Sequence, residues 1–252
     1  MDPSLLHLYL PWDQVTHLIL SPNLCIRESV IVAILLRCIN LVQCRIAAPS
    51  GGLEENQPTL IRLEHLEALE LMHTRFGRNQ ILKRLAFPSL KRLIIKSHDG
   101  VRIPLDDIAT SILGSGCELE VLHDRAYLQT DIALAFINNI PSITDLLVEG
   151  IPILAGVLGC IARDHLLPNL RTIECRTYEV FEVTPGKLIE SLGDDGFMEP
   201  LLDGNVPLSV HIVTNSKWHS IAHLMGSLQR NRLTVIFQQI VGSLYGTECE
   251  LL

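Results

Sequence analysis

The sequence has no excess of basic residues, few aromatics and no long uninterrupted apolar run, and each shortage removes a class of function. With 20 Lys and Arg against 28 Asp and Glu, the 252 residues carry a formal net charge of -8. Nucleic-acid binders show a basic face as their electrostatic footprint. The one basic cluster here, Lys83, Arg84, Lys91, Arg92 and Lys96, has no interleaved aromatic platform and reads as a solvated helix face plus strand ends. Apolar stretches such as Ile151 to Ala162 fall short of the roughly 20 residues that a membrane span needs, and Arg37 and Asn40 interrupt the run near residues 30 to 42. The opening Met1-Asp2-Pro3-Ser4 lacks the basic-then-apolar order of a secretory signal. Neither nucleic acid nor membrane is expected as a partner, and the cytoplasm or nucleus is the expected compartment. The cysteine count, seven, is odd, and Cys38, Cys44, Cys160 and Cys175 fall at apolar core positions. Reduced buried thiols agree with that compartment.

Catalytic and metal signatures are missing too. No G-x-x-x-x-G-K-S/T, G-x-S-x-G or H-E-x-x-H occurs in the chain. His219 and His223 stand one helical turn apart, a spacing that can bind zinc, but no cysteine or acidic ligand accompanies them. Trp218, Ile221, Ala222 and Met225 make that segment an amphipathic helix with surface histidines. Asp106-Asp107 reads as a helix first turn and Asp194-Asp195 as a loop. Gly114-Ser115-Gly116 lacks the third glycine and the preceding strand of a dinucleotide fingerprint, and reads as a helix cap. No enzyme, cofactor or metal is expected. A small α/β enzyme would need a pocket of titratable groups at strand ends, and nothing in the sequence points to one.

What the chain does have is a phrase that recurs. Pro88-Ser89-Leu90-Lys91-Arg92-Leu93, Pro141-Ser142-Ile143-Thr144-Asp145-Leu146 and Pro168-Asn169-Leu170-Arg171-Thr172-Ile173 share one pattern. Looser copies extend it to seven, each aligned on its first apolar residue at Val15, Leu41, Leu66, Leu90, Leu119, Ile143 and Leu170. Successive starts are 26, 25, 24, 29, 24 and 27 residues apart. That spacing lies within the roughly 20 to 29 residue period of leucine-rich repeats.

In the second half of each copy, period two puts alternate side chains on one face of a strand. Leu18, Cys44, Leu69, Leu93, Leu122, Leu146 and Ile173 occupy equivalent places and are expected to form one inward row on a parallel sheet. One strand alone buries almost nothing; stacked neighbours close a shared core. The returning segments read as helices. Ile31, Ile34, Leu35 and Cys38 recur at helical spacing, as do Leu105, Ile108, Ala109 and Ile112, and Leu154, Val157, Leu158 and Ile161. Pro88, Pro141 and Pro168 mark places where such a helix must already have stopped. Asp124 stands where a core aliphatic belongs, and an unpaired buried carboxylate would cost several kcal/mol, so the fifth strand is expected to end after Leu122.

The fold expected is therefore α/β: a leucine-rich repeat solenoid with a parallel β-sheet on its concave side and helices on its convex side. Residues 1–14 are read as an N-terminal cap with Trp12 over the first core, and residues 15–178 as repeats. Residues 179–252 are read as worn repeats and a C-terminal cap, with strands at Pro207 to Val213 and Leu233 to Phe237 and helices near residues 185–192 and 216–229.

Leu10-Pro11-Trp12-Asp13-Gln14-Val15-Thr16-His17-Leu18-Ile19-Leu20, Leu35-Leu36-Arg37-Cys38-Ile39-Asn40-Leu41-Val42-Gln43-Cys44 and the Phe-Pro-Ser-Leu and Leu-Pro-Asn-Leu openings together resemble the degenerate repeat region of fungal F-box proteins. The resemblance spans about residues 10 to 178. It implies a repeat surface that holds a protein substrate, and a Skp-type adaptor of a ubiquitin ligase as a second partner where an F-box precedes the repeats. Only fourteen residues precede Val15, too few for a helical F-box, so no residue here is assigned to adaptor docking. The alternative is a stand-alone repeat scaffold with no ubiquitin role. By position, the outward strand residues expected to meet a partner are Arg45, Glu70, Met72, Arg92, Ile94, Lys96, His123, Glu149 and Glu174. The competing reading makes Glu70 a lateral ion-pair partner of Arg45 and of Arg92 or Lys96, each pair contributing about 0.2–1 kcal/mol.

Overall fold

The computed structural model describes residues 10–21, 26–47, 60–73, 81–97, 105–125, 130–164, 167–177, 207–214 and 233–239. The chain divides into two compact units, Met1–Ile143 and Thr144–Leu252.

The first unit contains β1 (His17–Leu20), α1 (Glu28–Leu35), β2 (Gln43–Ala47), β3 (Ile61–Arg62), β4 (Ala68–His73), β5 (Leu85–Ala86), β6 (Arg92–Ser97), α2 (Leu105–Ser115), β7 (Val121–Arg125) and α3 (Thr130–Asn138). Strands β1, β2, β4, β6 and β7 pair side by side in that order, all parallel. The second unit contains β8 (Asp145–Glu149), α4 (Ile151–Asp164), β9 (Thr172–Thr177), β10 (Leu208–Thr214) and β11 (Leu233–Gln239). Here too every pairing is parallel, β8 to β9 to β10 to β11. The protein is α/β, built on parallel strands.

Register follows the repeat. Leu18 lies opposite Cys44, Cys44 opposite Leu69, Leu69 opposite Leu93 and Leu93 opposite Leu122. In the second unit Leu146 lies opposite Ile173, which continues to Val210. From Cys44 to Leu122, and from Leu146 to Val210, these side chains are buried. At about 1.5–3 kcal/mol for each fully buried aliphatic side chain, such rows supply much of what holds parallel strands together.

The Pro-Ser/Asn phrase has a specific structural meaning. The amide of the first apolar residue donates to the carbonyl three residues earlier: Leu41 to Cys38, Leu66 to Leu63, Leu90 to Phe87, Ile143 to Ile140 and Leu170 to Leu167. These five copies thus begin with a β-turn in which proline, where present, takes the second position, whose φ it fits. The next residue stitches neighbouring copies. Asn40 Nδ2 donates to the Asp13 carbonyl at 2.7 Å, and Ser89 Oγ donates to the Glu64 carbonyl at 2.6 Å. Both acceptors lie two residues before the start of the preceding copy. Backbone amides then repeat one pattern: Val42 and Gln43 donate to the Thr16 carbonyl, Glu67 and Ala68 to that of Val42, Lys91 and Arg92 to that of Glu67, and Arg171 and Thr172 to that of Thr144.

Three departures from the sequence expectations have physical causes. First, the return before Pro88 is not a helix but the short strand β5, which pairs in parallel with β3 and follows a 3-10 turn at Ile81–Arg84. The connections between β2, β4 and β6 are thus partly extended where helices were expected. α1, α2 and α4 form where the apolar spacing is helical, and α3 adds a helix that the spacing had not marked. Second, β7 does not end at Leu122. It continues through Asp124, which is buried opposite Ile95 and is not left without a partner, so the penalty for a bare carboxylate does not arise. Third, Glu70, Leu147 and Glu149, placed on the outward face by alternation, are buried.

Gly116 ends α2 with φ +66, the left-handed conformation that glycine adopts at low cost. Ser115 Oγ donates to the Ser111 carbonyl and accepts from the Phe87 amide, while Ser111 Oγ donates to the Leu82 carbonyl, tying α2 to the segment around β5. Trp12 is half-buried in a 3-10 turn at Trp12–Gln14. The strands expected near residues 207 and 233 are present as β10 and β11. The helices expected near residues 185–192 and 216–229, with His219 and His223, lie outside the described residues, as does Asp194-Asp195. No helix among the described residues is long and apolar enough to cross a membrane.

Candidate functional site

Alternation on a parallel sheet with one buried face leaves a second face for other uses. In the first unit Cys44, Ile46, Leu69, Leu71, Leu93 and Ile95 point into the core. Their neighbours point the other way, and seven of the nine expected contact residues are among them: Arg45, Glu70, Met72, Arg92, Ile94, Lys96 and His123. The register sets Arg45 opposite Glu70, Glu70 opposite Ile94 and Ile94 opposite His123, with Met72 opposite Lys96. Glu149 and Glu174 belong to the second unit and lie on neighbouring strands β8 and β9.

Glu70 is the electrostatic centre of the first face. Arg45 Nη2 lies 2.8 Å from its Oε2, and Lys96 Nζ lies 2.9 Å from its Oε1. The glutamate side chain is only 9% exposed, against 31% for Arg45 and 30% for Lys96. One buried carboxylate is thus held between two half-exposed cations from the flanking strands, which is the lateral pairing expected from β-strand neighbours. The Lys96 contact is an ion pair without hydrogen-bond alignment, so Oε1 accepts no hydrogen bond, and Gln43 Oε1 and Arg45 Nε beside it are also buried without hydrogen-bond partners. Arg92 does not join this group. It is exposed and makes no ion pair among the described residues. Met72, Ile94 and His123 are half-buried, and Ile19, opposite Arg45 on β1, is 52% exposed.

The second unit arranges its outward polar groups differently. Thr144 Oγ1 donates to Asp145 Oδ2 at 2.7 Å, Arg176 Nε donates to Glu174 Oε1 at 2.7 Å, and Ser209 Oγ and His211 Nε2 lie 2.9 Å apart. Each is a contact within one or two residues of sequence. Glu149, opposite Arg176, is buried and does not offer the exposed contact expected of it.

Within the basic cluster, Arg92 and Lys96 reach the open face. Arg84 lies in the 3-10 turn, and Lys91 stands just before β6. Gln43 and Ile19 belong to this face by position and were not among the nine; alternation alone identifies them. Among the described residues no three His, Cys, Asp or Glu side chains are grouped to hold a metal ion. The buried thiols are poor nucleophiles. Burial pushes Cys44 up to about 12 with a further push from Cys38, and pushes Cys175 up to about 12, opposed by a backbone hydrogen bond from Gly150 and reinforced by Glu149 and Glu174. Compared with known proteins, the chain matches no family model, no curated protein and no solved structure.

Proposed function

We propose that the chain is a protein-binding leucine-rich repeat module: a solenoid with its parallel strands concave and its helices convex, acting as the substrate-recognition part of an F-box-type ubiquitin ligase receptor. The observation that carries the binding role is the outward face of β2, β4 and β6. Half-exposed cations, aliphatic side chains and one buried carboxylate share that face, a mixture that suits a protein partner. The repeat reading rests on the recurring phrase: where present its proline takes the second position of the opening turn, and Asn40, Ser89 and Ser142 each donate to a carbonyl at or just before the start of the preceding copy. The ligase setting rests on the sequence resemblance alone, and adaptor docking needs an F-box ahead of these repeats.

Affinity capture with quantitative mass spectrometry tests the binding role. The full chain is compared with an Arg92→Ala/Ile94→Ala/Lys96→Ala variant and with an Ile39→Ala control away from the strands. Specific partners are expected to be lost from the triple variant and kept by the control. Retention of every partner by the triple variant removes the face from consideration. A Skp-type adaptor among the proteins captured by the full-length gene product supports the ligase setting, and its absence leaves a stand-alone scaffold.

A further inference from the structure

We propose that the open face of the first unit binds an extended acidic peptide of the pattern acidic-x-aliphatic-x-acidic, laid along β6. The inference rests on the reading of this face as a protein-binding surface and adds the chemistry of its occupant.

Charge is the first ground. Arg45, Arg92 and Lys96 face outward against the single anion Glu70, in a chain whose net charge is -8. Two of the cations already share Glu70, and Arg92 has no counter-charge among the described residues. Among the described residues the patch therefore keeps a positive excess after its ion pairs are counted, which attracts an anionic partner and disfavours a basic one.

Unspent hydrogen bonding is the second ground. Gln43 Oε1 and Arg45 Nε are buried without hydrogen-bond partners on β2, beside Glu70, whose Oε1 is already held by Lys96 Nζ at 2.9 Å. Buried polar atoms are nearly always satisfied in a finished structure, and an incoming chain with its own amides and carboxylates supplies both donors and acceptors. The described residues from Thr144 onward show no such atom.

Spacing gives the pattern. Arg92, Ile94 and Lys96 are alternate residues of one strand, so their side chains emerge about 6.6 Å apart. An extended peptide presents alternate side chains with the same interval. Carboxylates at its first and fifth positions then meet Arg92 and Lys96, and an aliphatic residue at its third meets Ile94, with Met72 beside it in register with Lys96. A nucleic-acid strand fits less well. The described outward positions of this sheet carry no Phe, Tyr or Trp for base stacking, and Glu70 sits in the middle of the path.

Fluorescence anisotropy on the full chain tests this directly. The probe is a short labelled peptide with Glu, Leu and Glu at alternate positions and Thr between them. Its comparators are a scramble of the same composition, a Lys-for-Glu version and a labelled single-stranded oligonucleotide. Saturable binding of the alternating peptide alone is expected, weakening with added salt. Arg92→Glu should weaken it about tenfold, equivalent to about 1.4 kcal/mol, while the milder Arg92→Gln reports the same direction with less risk to the fold. Unchanged melting of both variants excludes unfolding as the cause. No binding up to millimolar peptide, equal binding of the scramble, equal binding by the variants or tighter binding of the oligonucleotide each overturns the proposal. If the peptide fails while captured proteins still depend on Arg92, Ile94 and Lys96, the acidic specificity falls and the protein-binding face stands.

Discussion

In the unit ending at Ile143, the ion pairs described at Glu70 run between strands; in the unit beginning at Thr144, the pair described between Glu174 and Arg176 runs along one. Arg45, Glu70 and Lys96 come from three neighbouring strands and are 25 and 26 residues apart in sequence. Glu174 with Arg176, and Ser209 with His211, are two residues apart. A contact between strands exists only once the sheet has assembled, so the first face couples its polar groups to the fold. A contact along one strand depends far less on assembly and leaves little unsatisfied. Inside, the two units are alike: parallel strands, the same register rule and rows of buried aliphatics. Among the described strands, the difference lies in what faces outward.

The largest effects should therefore fail to distinguish the units. Leu93→Ala in the first and Ile173→Ala in the second each remove a fully buried side chain from a paired strand, and each is expected to cost about 2–5 kcal/mol by chemical denaturation. A loss under about 1 kcal/mol at either site breaks the claim of like interiors.

The buried thiols sharpen the comparison, because Cys44 reports on one unit and Cys175 on the other. At neutral pH both should resist alkylation in the native protein and react once denaturant opens the unit that holds them. Mass spectrometry of the labelled peptides then shows whether the units open together. Their pH dependence has a definite sign. The folded values lie near 12 against an ordinary 9.0, so both states are protonated below pH 9 and the thiol contribution is intact there. Above pH 9 the unfolded chain ionises first, and stability should fall progressively as pH rises toward the folded values. Serine at both positions should flatten that decline; an unchanged slope refutes its assignment to these thiols.

The smallest effects carry the contrast itself. Glu70→Gln keeps the shape of the side chain but removes the shared charge from between two cations, and should cost about 1 kcal/mol. Glu174→Gln disturbs only a pair within one strand and should stay within about 0.5 kcal/mol. Equal losses for the two variants would abolish the distinction between the faces.

Much of the architecture is legible in the residues. Period two within each copy and the nearly constant step between copies placed Leu18, Cys44, Leu69, Leu93 and Leu122 in one register, because a parallel ladder repeats whatever spacing the chain supplies. The turn phrase was visible, although its Ser or Asn was not recognisable as a donor to the preceding copy until that copy lay beside it. Alternation also located the seven outward residues of the first unit. Direction alone did not foretell the burial of Leu147, Glu149 and Glu70, and the strand end expected after Leu122 did not allow for a partnered Asp124 inside, since side-chain direction is a local property and burial is not.

By itself the sequence determined the strand pattern and the register, both consequences of local geometry repeated at a regular interval. Tertiary structure alone decided that Glu70 takes both Arg45 and Lys96, that Arg92 pairs with no carboxylate among the described residues and that Asp124 is tolerated inside. Those outcomes depend on distances between residues remote in sequence and on how far each is withdrawn from water, and only the assembled sheet sets either quantity.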